Sequence, residues 1–77
     1  MKENVHIKLF ATLADFLPDN AENYAIATGT TVERLISRLG IPLQKAKLVF
    51  VNGQKAGLET VLKSGDRLGI FPPVGGG

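Results

Sequence analysis

A chain of 77 residues with a net charge of +2 and no cysteine has room for one domain with one small core, and little room for a deep catalytic pocket walled by its own residues. The missing thiol excludes disulfides, thiolate metal sites and a cysteine nucleophile together, and fits a cytoplasmic setting. No apolar run nears the roughly 18 residues of a membrane helix, residues 1–4 lack a hydrophobic signal core, and the basic residues are interspersed with acids rather than gathered in the dense stripe that nucleic-acid binding requires.

Residues 5–11 alternate with period two. Val5, Ile7, Leu9 and Ala11 point one way and His6, Lys8 and Phe10 the other, which predicts a half-buried strand. Leu13, Phe16 and Leu17 fit one helical turn that Pro18 stops, and Asp19-Asn20 predicts a chain reversal. Residues 23–27 read as a second strand, paired with the first across a wide connection. Thr30 stands three residues before Glu33, the capping-box spacing. Val32, Leu35, Ile36 and Leu39 then form one apolar helical face. Gly40 suits the left-handed position after a helix, and Pro42 bars continuation.

Residues 48–51 form a wholly apolar strand. Asn52-Gly53 is a strong hairpin signal, with residues 54–56 as a brief return strand. Val61 and Leu62 are expected to anchor the next connection. Ser64-Gly65-Asp66 makes a tight turn into a last strand over residues 67–71, which Pro72-Pro73 ends. The order strand, strand, helix, strand, short strand, strand predicts an α+β β-grasp (ubiquitin-like) domain: a mixed sheet of about five strands with one helix on one face. The domain is expected over residues 1–73, with a flexible glycine tail over 74–77.

In such a fold the first and last strands lie side by side and parallel. Leu68 and Ile70 then face the helix together with Ile7 and Leu9, and alternation sends Phe10 and Phe71 to the helix-free face. Phe50 joins them if Val49 and Val51 face the helix. An aromatic cluster beside the tail is a candidate docking patch; the plainer alternative is scattered apolar surface. His6 has no partner at a spacing suited to metal or acid–base work and reads as a surface residue. Asp66 and Arg67 fit turn chemistry, and no metal site is expected.

The chain ends Phe71-Pro72-Pro73-Val74-Gly75-Gly76-Gly77. The proline pair makes a stiff exit. Five extended residues from Pro73 reach roughly 16 Å, and backbone without Cβ can pass a narrow channel. The terminal carboxylate is accessible, yet it is a poor electrophile until ATP-dependent activation, and no phosphate-binding glycine loop occurs in this chain. The activating machinery must come from a partner.

Leu9-Phe10-Ala11-Thr12-Leu13, Val51-Asn52-Gly53, Ser64-Gly65-Asp66-Arg67 and the whole ending from Phe71 to Gly77 resemble the MoaD family, the small subunits of molybdopterin synthase. The related thiamine carrier ThiS shares the fold and the Gly-Gly end but usually lacks the Phe-Pro-Pro-Val run. Ala14 stands where that family often has a basic residue that pairs with a partner, and Lys55 where some members have an apolar contact residue.

The resemblance implies a cycle. An E1-like enzyme of the MoeB type uses ATP to adenylate Gly77, and a sulfur donor converts the adenylate to a thiocarboxylate. The tail, with Gly75 and Gly76 threading partner channels, enters a large subunit of the MoaE type in a heterotetramer. There the sulfur builds the dithiolene of molybdenum or tungsten cofactor. Phe10, Phe50, Phe71, Pro72, Pro73 and Val74 would bind partners, and the chain itself would hold no cofactor. Three other readings are a carrier for thiamine or another thiolated metabolite, a ubiquitin-like protein modifier, and a non-covalent binding module.

Overall fold

Period-two burial shapes the first strand. In the computed structural model, which describes residues 2–73, β1 (Lys2–Leu9) buries Val5, Ile7 and Leu9 on one face. It begins earlier and ends sooner than the sequence pattern predicts. Ala11 does not continue the inward row. It adopts φ 53°, turning the chain into a 3₁₀ segment, Ala11–Phe16. That conformation is unfavourable for alanine, but the turn delivers Leu13 to the core, where it is fully buried. Leu17, expected on the same apolar turn, is exposed.

β2 (Tyr24–Ala27) returns antiparallel to β1, with Val5 opposite Tyr24 and Lys2 opposite Ala27. The helix α1 (Val32–Arg38) then buries Val32, Leu35 and Ile36. Its N-cap is Thr31, one residue later than the capping-box spacing implies: the Thr31 hydroxyl accepts from the Arg34 N–H at 3.2 Å. Thr30 instead donates its hydroxyl to the Ala27 carbonyl at 2.7 Å. The helix ends as Gly40 and Pro42 predict. Gly40 takes φ 83°, its N–H donates to Ser37 O, and the Ile41 N–H donates to Ile36 O, a Schellman closure.

β3 (Leu48–Val51) and β4 (Gln54–Lys55) form the expected hairpin, with Asn52 and Gly53 both at positive φ as a type I′ turn requires. β4 is one residue shorter than expected, although the Ala56 N–H still donates to Val49 O. In the following connection Leu62 is fully buried. Val61, read as a second anchor, is 48% exposed and forms an isolated bridge to Thr31 at the helix start. β5 (Arg67–Phe71) lies parallel to β1 and antiparallel to β3, giving the strand order β2-β1-β5-β3-β4. Leu68 and Ile70 join Ile7, Leu9, Val49, Ile26 and the helix residues in one core. The architecture is a β-grasp: a mixed five-stranded sheet with one main helix on one face. Among the described residues no helix is long and apolar enough to cross a membrane.

Candidate functional site: an aromatic groove on the helix-free face

The residues that point away from the core line up across three strands. His6 lies beside Arg67, Lys8 beside Gly69, and Gly69 in turn opposite Phe50. Phe10 sits one residue past β1. It keeps an extended backbone, and its N–H still donates to Ile70 O at 3.2 Å, so alternation carries its side chain to the same face. There the Phe10 and Phe71 rings stack in parallel with centroids 4.1 Å apart. Phe50 meets Phe71 edge-on at 5.7 Å. The fourth phenylalanine, Phe16, packs partly buried against the core instead.

These rings wall an open groove of about 450 Å³ on the helix-free face. Gly69 makes room for it. Its outward position carries no side chain, and a Cβ there would lie 3.5 Å from the Phe10 ring. The groove has a direction. Phe10 and Phe71 occupy the end where β5 finishes, His6 and Arg67 occupy the other, and Phe50 and Lys8 flank Gly69 between them, with no acidic residue in the lining. The sequence reading placed His6 and Lys8 on the face of Phe10 but read His6 as a plain surface residue and did not bring Arg67 beside them. The same period-two alternation that found Phe10 also puts His6 and Lys8 on its face.

The frame is held by backbone and turn chemistry. Phe71 is clamped from β3's side, since its carbonyl accepts from the Lys47 N–H at 2.9 Å. At the basic end, the Asn52 amide donates to Asp66 Oδ1 at 2.9 Å, and the Asn52 side-chain oxygen accepts from the Arg67 N–H at 3.0 Å. Asp66 Oδ2 accepts from the Lys63 N–H at 2.8 Å. Asp66 therefore serves its turn, as the sequence predicts. Pro72 is buried and Pro73 exposed. Val74, Gly75, Gly76 and Gly77, the predicted tail, lie outside the described residues. Among the described residues no group of three or more His, Asp or Glu side chains could hold a metal.

Fold and groove together define a ubiquitin-like β-grasp domain that presents an aromatic face at the end of its last strand. The ThiS family model matches residues 7–77. The chain therefore belongs to that family, within the β-grasp superfamily of sulfur carriers that includes the ThiS and MoaD proteins, and its general role is that of a sulfur carrier. Solved structures agree on the fold. The HVO 2177 protein of Haloferax volcanii matches with a TM-score of 0.78 at 22% identity, over 99% of this chain and 88% of that one. Small archaeal modifier protein 1 of the same organism matches with a TM-score of 0.69 at 25% identity, over 94% and 99%. The thiamine biosynthesis protein ThiS of Geobacter metallireducens matches with a TM-score of 0.63 at 21% identity, over 96% and 99%. No curated protein sequence matches the chain.

Proposed function

We propose that this chain is the sulfur-carrying small subunit of a molybdopterin synthase, serving molybdenum or tungsten cofactor synthesis. An E1-like enzyme of the MoeB type joins AMP from ATP to the Gly77 carboxylate and releases pyrophosphate. A sulfur donor then displaces AMP and leaves a thiocarboxylate. The large subunit, of the MoaE type, receives the tail with Gly75 and Gly76 in its channel and takes the sulfur for the dithiolene. The chain supplies a reacting carboxylate and a docking face, and the catalytic groups stand on its partners.

The observation that carries this reading is the Phe10–Phe71 stack with Phe50 against it, at the end of the strand that feeds the tail. A partner seated on those rings receives residues 74–77 beside the contact. Docking and delivery are thereby one event, and the tail's ordering cost is offset by apolar burial at its base. The Phe71-Pro72-Pro73-Val74 run favours the molybdopterin branch over the thiamine carrier. The likeness to small archaeal modifier protein 1 supports a second reading, in which Gly77 is joined to lysines of target proteins.

Both readings need adenylation, and pyrophosphate exchange tests it. The purified chain is expected to support ATP–pyrophosphate exchange by its E1-like partner, and the chain lacking Gly76-Gly77 is not. Undiminished exchange with the truncated chain contradicts the proposal. The large subunit then separates the readings: stable assembly with a MoaE-type protein supports the synthase, and lysine conjugates without such assembly support the modifier.

A further inference from the structure

β2 is the outer strand of the sheet, and its side away from β1 has no strand partner among the described residues. Natural edge strands usually carry a charge, a proline or a bulge that discourages pairing. β2 reads Tyr24-Ala25-Ile26-Ala27 and has neither charge nor proline. The sheet's other edge, β4, is only two residues long.

A second groove opens at the Ala27 end of this edge, between the strand and the helix. It measures about 530 Å³ and runs between Ala27, the turn through Gly29 and Thr30, and the helix residues Arg34, Ser37 and Arg38. It shares no residue with the aromatic groove. Its lining includes two arginines and no acid. Both arginines are exposed, and the Arg38 guanidinium lies over the Tyr24 ring, 5.6 Å from its centroid. Arg38 thus reaches over the open strand at Tyr24, and Arg34 shares the groove with Ala27 at the strand's end. Thr30 ties the turn shut at the far end through its hydroxyl and its N–H, both donated to Ala27 O.

The spacing matches an extended chain. Arg34 and Arg38 are four residues apart on a helix, about 6 Å along the axis. Alternate side chains of a strand are about 6.7 Å apart. A strand added beside β2 would direct every second side chain toward the helix side, which Tyr24 and Ile26 share. We infer that the β2 edge and the α1 arginines form a binding site for an extended peptide segment with Asp or Glu at alternate positions. Main-chain hydrogen bonds to β2 hold the segment and the two arginines select its carboxylates, the strand-addition mode of peptide recognition.

The test is a titration of the isotope-labelled full-length chain, at low salt, with the blocked peptide Val-Asp-Val-Asp-Val, followed by amide chemical shifts. The amides of residues 24–30 and of Arg34 and Arg38 are expected to move. The Arg34→Ala/Arg38→Ala double variant should bind roughly fivefold more weakly, as loss of two exposed ion pairs dictates. The Arg34→Lys/Arg38→Lys variant should recover most of that loss. The site is overturned if the Asn-for-Asp peptide binds equally well, if alternate N-methylation of the peptide leaves binding unchanged, or if the shifts map to the Phe10–Phe71 groove. It is equally overturned if the residue 24–27 amides move with protein concentration alone, since β2 would then pair with a second copy of this chain.

Discussion

Phe71 does two jobs at once: its backbone closes the sheet against Lys47, and its ring is the hub of the aromatic groove, touching Phe10 on one side and Phe50 on the other. As the central ring it should behave as a hot spot. Phe71→Ala is expected to weaken partner binding by about 2 kcal/mol, roughly thirtyfold, and Phe10→Ala by about half that energy. Calorimetric titration against the E1-like enzyme or the large subunit measures both. Circular dichroism should show a native fold in each variant, because neither ring belongs to the core cluster. Equal, unperturbed affinities would remove the groove from the docking account. Asn52 offers a second residue-scale test. Its φ of 54° and its two side-chain hydrogen bonds are separable contributions. Asn52→Ala should lose about 2 kcal/mol, about half from the left-handed backbone and half from the bonds. Asn52→Gly should recover the backbone half, read from urea midpoints.

At the scale of elements, the helix start shows what local pattern can and cannot decide. Thr30 and Thr31 are adjacent and chemically equal as caps. The choice between them is made by tertiary contacts. Thr31 bridges to Val61, and the Leu62 N–H donates to the Thr30 carbonyl at 2.8 Å, which holds Thr30 outside the helix. Thr31→Ala should therefore cost about 1 kcal/mol, and Thr31→Ser should restore most of it; thermal melts compare them. No such contact is visible in a sequence window of four residues. The end of β1 escapes for a similar reason. Phe10 and Ala11 continue the alternation, yet the chain must turn at Ala11 to sink Leu13. The elements whose signals are local were legible: the Asn52-Gly53 hairpin, Gly40 after the helix, and the turn at Gly65. So was the helix-free position of Phe10, Phe50 and Phe71, because alternation is a purely local rule. The outward positions of His6 and Lys8 were written in the same rule. They become meaningful only once Arg67 arrives beside His6 from 61 positions away in the chain.

As a whole molecule this is a small core serving two unlike surfaces. Leu62 ties the irregular connection between β4 and β5 to that core, and it has no exposed surface. Leu62→Ala is expected to cost about 3 kcal/mol, a large share of the stability of a domain this size, with denaturant unfolding as the measure. On the helix-free face the aromatic groove is built around Phe71, two residues before the last described residue, Pro73. At the β2 edge the arginine-lined groove shares no residue with it, so the proposed peptide and the proposed tail-binding partner do not compete for the same side chains.

The central claim is chemical: Gly77 carries sulfur. The direct measurement is intact mass spectrometry of the chain isolated from its native cell, with fragmentation of the carboxyl end. The account predicts a form heavier by the exchange of one oxygen for sulfur, with the increment confined to Gly77. Localisation matters because oxidation of Met1 adds a nearly equal mass at the opposite end. A terminus that remains an unmodified carboxylate in cells actively making the cofactor, with or without Met1 oxidation, would contradict it.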